Sequence, residues 1–337
     1  ETWLAGDVVS EWIVKAPLKT AGGVAHSHVT GRFEVRAYKG TTRAQVRFIL
    51  ENTTIQKNTG DPGASIYAWA PGFTLADKTY NVTLTLAGAT VFSQSGVAHY
   101  RNTRWTKTFW WNGGPPVHVK HDSAYLIATK ALPNYDLTVT PSAGQIATNK
   151  AITDAAAILS SGLADPYQPA TGGRPDIGLI PGWDVLYLLS QHKDARKSML
   201  VMGELAGSWS THFRLNDTDR VLSIDDYPYS TILGNHGDAY NPVRGKYEDF
   251  HAALGATANP NVADGPHAPE LSYLSYLVTG DHYHFEELLF LAQYHIMSQN
   301  PGYRSAAQGL WHAESQVRGQ AWGMRTLGHA AYITPVA

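Results

Sequence analysis

The hydrophobic period of this chain changes once, near residue 140, and that change constrains its fold more than any other feature. From Trp3 to about Tyr135 the pattern is alternation. In "GRFEVRAYKGTTRAQVRFILENT", Phe33, Val35 and Ala37 alternate with Arg32, Glu34 and Arg36; after a turn at Lys39-Gly40-Thr41, Ala44, Val46 and Phe48 alternate on the return. Successive side chains on a strand point to opposite faces, so this reads as a hairpin with one apolar and one wet face. "YNVTLTLAGATVF", "TRWTKTFWW" and "PPVHVKHDSAYLIATKAL" continue the pattern between Gly, Pro and Asn clusters, which predicts an antiparallel β-sandwich. The stretch "TVTPSAGQIATNK" changes composition and period together, and helical spacing dominates afterwards.

Six helices are expected there, in "KAITDAAAILSSG", "WDVLYLLSQ", "DARKSMLVMGELAG", "APELSYLSYLVTG", "HYHFEELLFLAQYHIMSQ" and "ESQVRGQAWGMRTLGHAAYITP". The second joins the third, and the fourth the fifth, through a short polar turn, as in helical hairpins. Repeated hairpins around a central cleft make an α/α toroid. The expectation is a multidomain β plus α protein: an N-terminal antiparallel β-sandwich over residues 1–140 and an α/α toroid-like helical domain over 141–337. Between them in the helical half, residues 208–264 show little periodicity but are rich in His, Asn, Tyr and Asp. Aperiodic segments of this length inside a compact domain are usually functional or disordered, and the Trp and Tyr content argues against disorder.

The last helix carries unusual cargo. Arg318, Trp322, Arg325 and His329 follow an i, i+4, i+7, i+11 spacing and share one side. Forked cations beside a flat ring suit the lining of a cleft better than a solvated or a core face. The opposite side, with Val317, Ala321, Met324, Gly328 and Ala331, is small enough for a neighbouring helix to pack closely. Composition points the same way. Charged residues are only 16% of the chain, against roughly 25% in ordinary soluble proteins, while it holds 10 Trp and 18 Tyr. Sugar rings stack on aromatic faces and exchange hydrogen bonds with uncharged side chains. A net charge of −2 advertises no nucleic acid or membrane surface, and no apolar run approaches a membrane span. The absence of cysteine excludes disulfides and thiol chemistry and leaves the compartment open. The start at Glu1 and the end at "YITPVA" suggest a processed product or a piece of something longer.

"VRGQAWGMRTLGHAAYITP" resembles the Arg-Gly-Gln-Ala-Trp helix of unsaturated glucuronyl hydrolases, and "YLVTGDHYHFEELLFLAQYHI" resembles the Thr-Gly-Asp turn and helix of α/α toroid enzymes acting on polysaccharides. The likeness covers mainly residues 266–335. Toroid hydrolases and polysaccharide lyases share such helices, and a β-rich half joined to a helical half is similar to multidomain polysaccharide lyases and phage or bacterial depolymerases. The resemblance implies a secreted, extracellular or virion-associated setting, a polysaccharide or oligosaccharide partner and no cofactor. One departure stands out: six hairpins need roughly 300 residues, and only about 190 follow the switch, so the toroid is expected to be incomplete.

Elimination next to a uronic acid removes the C5 proton and expels the C4 oxygen. It needs Arg, Asn, Gln or His to neutralise the carboxylate, with Tyr or His as base and acid. The catalytic candidates are therefore His212, Tyr227, His236, His267, Tyr273 and Arg318. The substrate-binding candidates are Trp183, Trp209, Arg214, Asn235, Trp322, Arg325 and His329; the three tryptophans have polar, Gly-rich neighbours suited to sugar stacking. Each residue type is common in structural roles, and convergence from separate segments is what gives the set its meaning. Hydrolysis would need two carboxylates across the scissile bond. Asp176, Asp184, Asp225, Asp226 and Glu270 show no diagnostic spacing, so a lyase leads, a hydrolase of the unsaturated glucuronyl type follows, and a non-catalytic glycan-binding or phage tail module is the third alternative. The His pairs at 26–28, 118–121 and 282–284 complete no tetrahedral metal set.

Overall fold

A computed structural model describes residues 1–55, 75–170, 173–232, 236–248, 257–308 and 317–335. Eight strands come first: β1 (Thr2–Ala5), β2 (Val9–Lys19), β3 (Ala25–Tyr38), β4 (Ala44–Asn52), β5 (Thr54–Ile55), β6 (Lys78–Leu86), β7 (Ala89–His99) and β8 (Thr103–Trp111). Five of them form one antiparallel sheet in the order β1-β2-β3-β4-β8. The alternation of β3 and β4 sets its register, with Phe33 opposite Phe48 and Val35 opposite Val46. Strands β6 and β7 pair separately and lie on the sheet's apolar face, where Tyr80, Val82, Leu84 and Phe92 pack against Phe48, Leu50 and Trp105.

The helical half contains α1 (Ser123–Ala128), α2 (Ala143–Asp154), α3 (Gly182–Ser190), α4 (Lys193–Glu204), α5 (Tyr273–Thr279), α6 (His282–Met297) and α7 (Val317–Ile333). The helices share a core built from Trp183, Tyr187, Met199, Met202, Leu274, Leu288, Ala330 and Ile333. Two tight turns join neighbours. Gln191, in the left-handed region, ends α3 just before His192 caps α4, and Gly280 ends α5 in the same conformation before α6. Among the described residues, no helix is long and apolar enough to cross a membrane.

Three local expectations need correction. "PPVHVKHDSAYLIATKAL" forms no strand: Asp122 caps a helix by accepting from the Tyr125 backbone N–H at 3.0 Å. Helix α2 runs from Ala143 to Asp154 and not over 150–162 as expected, because Ser142 supplies its N-cap and Ala155 its C-cap. The third correction concerns the supposedly wet face of β3. Arg32, Glu34 and Arg36 are buried, whereas Phe33, Val35 and Ala37 are only half-buried. Alternation separates two faces without saying which meets water. Here the charged face meets the helices, and each charge has a partner: Arg32 with Glu51 at 2.8 Å, Arg36 with Glu11 at 2.5 Å and Asp281 at 2.8 Å, and Arg47 with Asp281 at 2.7 Å.

Candidate active site

Helix α7 turns its Arg318-to-His329 side toward the segment 264–273, while Val317, Ala321, Met324, Gly328 and Ala331 face solvent. The small-residue side therefore receives no helix among the described residues, contrary to expectation. The polar side packs because each polar group finds a specific acceptor or donor. Arg318 Nη1 donates to His267 Nε2 at 2.6 Å, and His267 Nδ1 donates in turn to the Asp264 carboxylate. Arg325 sits 5.0 Å from the centre of the Trp322 ring and donates to the carbonyls of Gly178 at 2.7 Å and Ala268 at 3.0 Å. Burial brings its guanidinium down to about 10. Both ends of that fork are thus occupied by backbone, not open to a sugar carboxylate.

One turn further on, His329 Nδ1 donates to Oε2 of the fully buried Glu270. The other Glu270 oxygen accepts from the Tyr273 backbone N–H at 2.8 Å, and the Tyr273 hydroxyl donates to the Ala131 carbonyl at 2.7 Å. The rings of Tyr273 and His329 stack with centres 3.8 Å apart and planes 4° from parallel. Burial, and then the charge of Glu270, push the Tyr273 phenol upward. Behind Glu270 stands Asp184, in the first turn of α3, completely buried and with neither oxygen hydrogen-bonded among the described residues. Burial, and then the Glu270 charge, hold Asp184 well above the usual carboxylate range.

Because Nδ1 donates to a carboxylate, Nε2 is the basic nitrogen of a neutral His329. His329 borders an open cleft of about 450 Å³ that Lys130, Asn134, Tyr273 and Tyr332 also line. Lys130 reaches it from the end of α1, where φ of 66° turns the chain sharply. The cleft thus holds a fixed imidazole, an ammonium group, an amide and a phenol. That set suits proton transfer beside an anion.

The other candidates lie elsewhere. His212 is buried; its Nε2 bonds Glu287 at 2.8 Å and its Nδ1 faces the Trp209 carbonyl at 3.0 Å. With Trp209, Glu270 and Glu287 it borders a small cavity of about 30 Å³, so Glu270 lies between that cavity and the His329 cleft. Arg214 joins Glu51 and Glu286, each at 2.9 Å. Trp183 and Trp209 are 3% and 2% exposed within the helical core, which leaves no ring face for a sugar; Trp322 keeps partial exposure. Tyr227 packs on Phe213 and Leu215 beneath Arg244, 5.1 Å from its ring centre. The backbone of His236 opens a short 3-10 turn; its side chain and Asn235 lie outside the described residues.

Lys130, Asn134 and Tyr332 escaped sequence reasoning. Lys130 falls in a stretch that reads as strand, Asn134 lies just beyond it, and Tyr332 stands near the end of a helix where a Tyr is unremarkable. A Pro-Asn pair just beyond a short amphipathic helix was the available signal. Among the described residues no group of three or more His, Asp or Glu is arranged to hold a metal ion. No protein-family model, curated protein or solved structure matches the chain.

Proposed function

We propose that the chain is a polysaccharide-degrading enzyme, a lyase that cleaves a uronic-acid-containing glycan by β-elimination in the His329 cleft, on a β-sandwich joined to an incomplete α/α toroid. One observation carries this: His329, pinned by Glu270 and stacked on Tyr273, borders a cleft that also offers Lys130, Asn134 and Tyr332. Lys130 and Asn134 neutralise the uronate carboxylate, which acidifies the C5 proton. His329 Nε2 takes that proton, the C5–H electron pair forms the C4–C5 double bond, and the C4–O4 bond breaks. Tyr332 protonates the departing oxygen, and its phenol is restored as the His329 proton returns through solvent. Glu270 stabilises the imidazolium that forms.

Hydrolysis has less support. It needs two carboxylates flanking the bond, yet Asp184 and Glu270 are both completely buried. The discriminating experiment incubates the protein with alginate, polygalacturonate, hyaluronan and heparan sulfate and identifies the new chain end by ultraviolet absorbance and NMR. A 4,5-unsaturated uronate end is expected on at least one polymer. Saturated ends would indicate hydrolysis, and binding without new ends would indicate a non-catalytic module; either outcome refutes the lyase.

A further inference from the structure

A groove of about 770 Å³ runs between the sheet and α4 and shares no lining residue with the His329 cleft. One wall is aromatic: Tyr38 of β3 and Trp110 of β8 stack with ring centres 5.8 Å apart and planes 19° from parallel. The facing wall is cationic. Lys193, Arg196 and Lys197 stand at i, i+3 and i+4 on α4, hence on one side of the helix, and all three line the groove.

The positive charges in the groove differ in how far they are balanced. Arg36 and Arg47 at its base are matched by Glu11, Asp281 and Glu204. Lys193 is exposed and has no acidic partner among the described residues. Among the described residues Lys197 meets Asp154 alone, at 2.6 Å and in an exposed pair, a kind of contact that holds a cation weakly. The groove thus has a net positive wall on a chain whose overall charge is −2, so the charge is local and directed.

We infer that this groove binds an acidic polysaccharide chain, with Lys193 and Lys197 meeting its anionic groups while sugar rings lie along the Tyr38–Trp110 wall. Sugar faces pack on aromatic rings, and a glycan with one charge per one or two sugars matches a few spaced cations. A nucleic acid fits less well. It carries a charge on every nucleotide and needs many phosphate contacts, whereas Glu204 and Asp281 also line this groove. The site is a binding site outside the reacting centre, and it stands whether or not the His329 cleft turns the polymer over.

The test is calorimetry on the whole protein with hyaluronan and oligogalacturonate hexasaccharides, neutral cellohexaose and a short single-stranded DNA, each at low and high salt. Saturable binding of an acidic hexasaccharide that weakens with salt is expected, with little binding of cellohexaose. The exposed double variant Lys193→Ala/Lys197→Ala should lose affinity by about tenfold or more, as should Trp110→Ala. His329→Ala should bind as the parent does while losing product formation, which separates this groove from the cleft. Equal affinity for the neutral sugar, unchanged binding by the double variant, absence of acidic-glycan binding, or tighter binding of DNA would each overturn the inference.

Discussion

Arg325 shows how one residue can look functional in sequence and act structurally. Its fork donates to the Gly178 and Ala268 carbonyls, which come from segments 147 and 57 residues away. Replacing it with Met removes both donors and leaves two carbonyls without their partners. An unsatisfied buried polar group costs about 1–3 kcal/mol, so Arg325→Met should lower stability by roughly 3 kcal/mol in urea denaturation; a loss within experimental error would contradict this role. The residue types on the Arg318-to-His329 side were legible from spacing alone. Their partners were not, because Gly178, His267 and Glu270 are brought to α7 by tertiary packing that local spacing does not encode. Glu270 was visible only as one acid among several, and nothing in its neighbours marked His329 as its partner.

At the level of elements, the strands and the longer helices were readable and their outward faces were not. The β3 alternation separated two faces and the polar one proved to be the packed one, whereas the α7 stripe lies at the edge of a buried face formed by Gly319, Gly323, Arg325, Thr326, Ala330 and Ile333. Such a choice rests on complementary charge in the opposing element: Asp281, Glu286 and Glu287 at the start of α6 answer the arginines of the sheet. Close backbone approach was equally hidden. The 3-10 turn Leu205–Ser208 follows α4 directly and lies against β8, where a Cβ on Gly207 would stand 2.1 Å from the Arg104 carbonyl oxygen. Because backbone cannot yield as a side-chain tip does, Gly207→Ala should destabilise the fold by about 3 kcal/mol, at the upper end of overpacking costs. A melting temperature equal to the parent's would rule out this contact.

For the molecule as a whole, the joint between sheet and helices is ionic, and its centre is Arg104. This fully buried residue binds Glu287 at 2.5 Å, Glu286 at 2.7 Å and Glu51 at 2.9 Å, with its guanidinium 4.4 Å from the centre of the Tyr283 ring. Removing one member of a buried ion cluster strands the others, so Arg104→Ala should cost roughly 3–5 kcal/mol. Chemical denaturation measures this, and a loss below about 1 kcal/mol would show the charges to be solvated. The same joint sets the response to acid. Burial opposes ionisation of Glu287, but Arg104 and His212 prevail and bring it to about 2. Burial depresses His99 to about 4 and His284 and His295 to about 3. Folded-state values below the unfolded ones mean that unfolding takes up protons, so these contributions are present above the unfolded pKa and lost as pH falls. Burial raises Glu11 to about 6, despite Arg36, and lifts Asp184 well above the usual carboxylate range; burial opposes the charging of His282, but Glu286 and Glu34 raise it, and these three contributions run the other way. With three depressed histidines and the carboxylates of the joint outweighing them, the melting temperature should fall from pH 6.5 toward 3; a flat profile would contradict the buried joint. The most direct test of the His329 cleft compares parent and His329→Ala for release of unsaturated uronate ends from the polymer that the parent cleaves best, with melting curves alongside. A loss of about 10²- to 10⁴-fold in rate, the usual contribution of a general base, with an unchanged melting temperature, is expected. A folded variant that cleaves at the parent's rate would contradict the assignment.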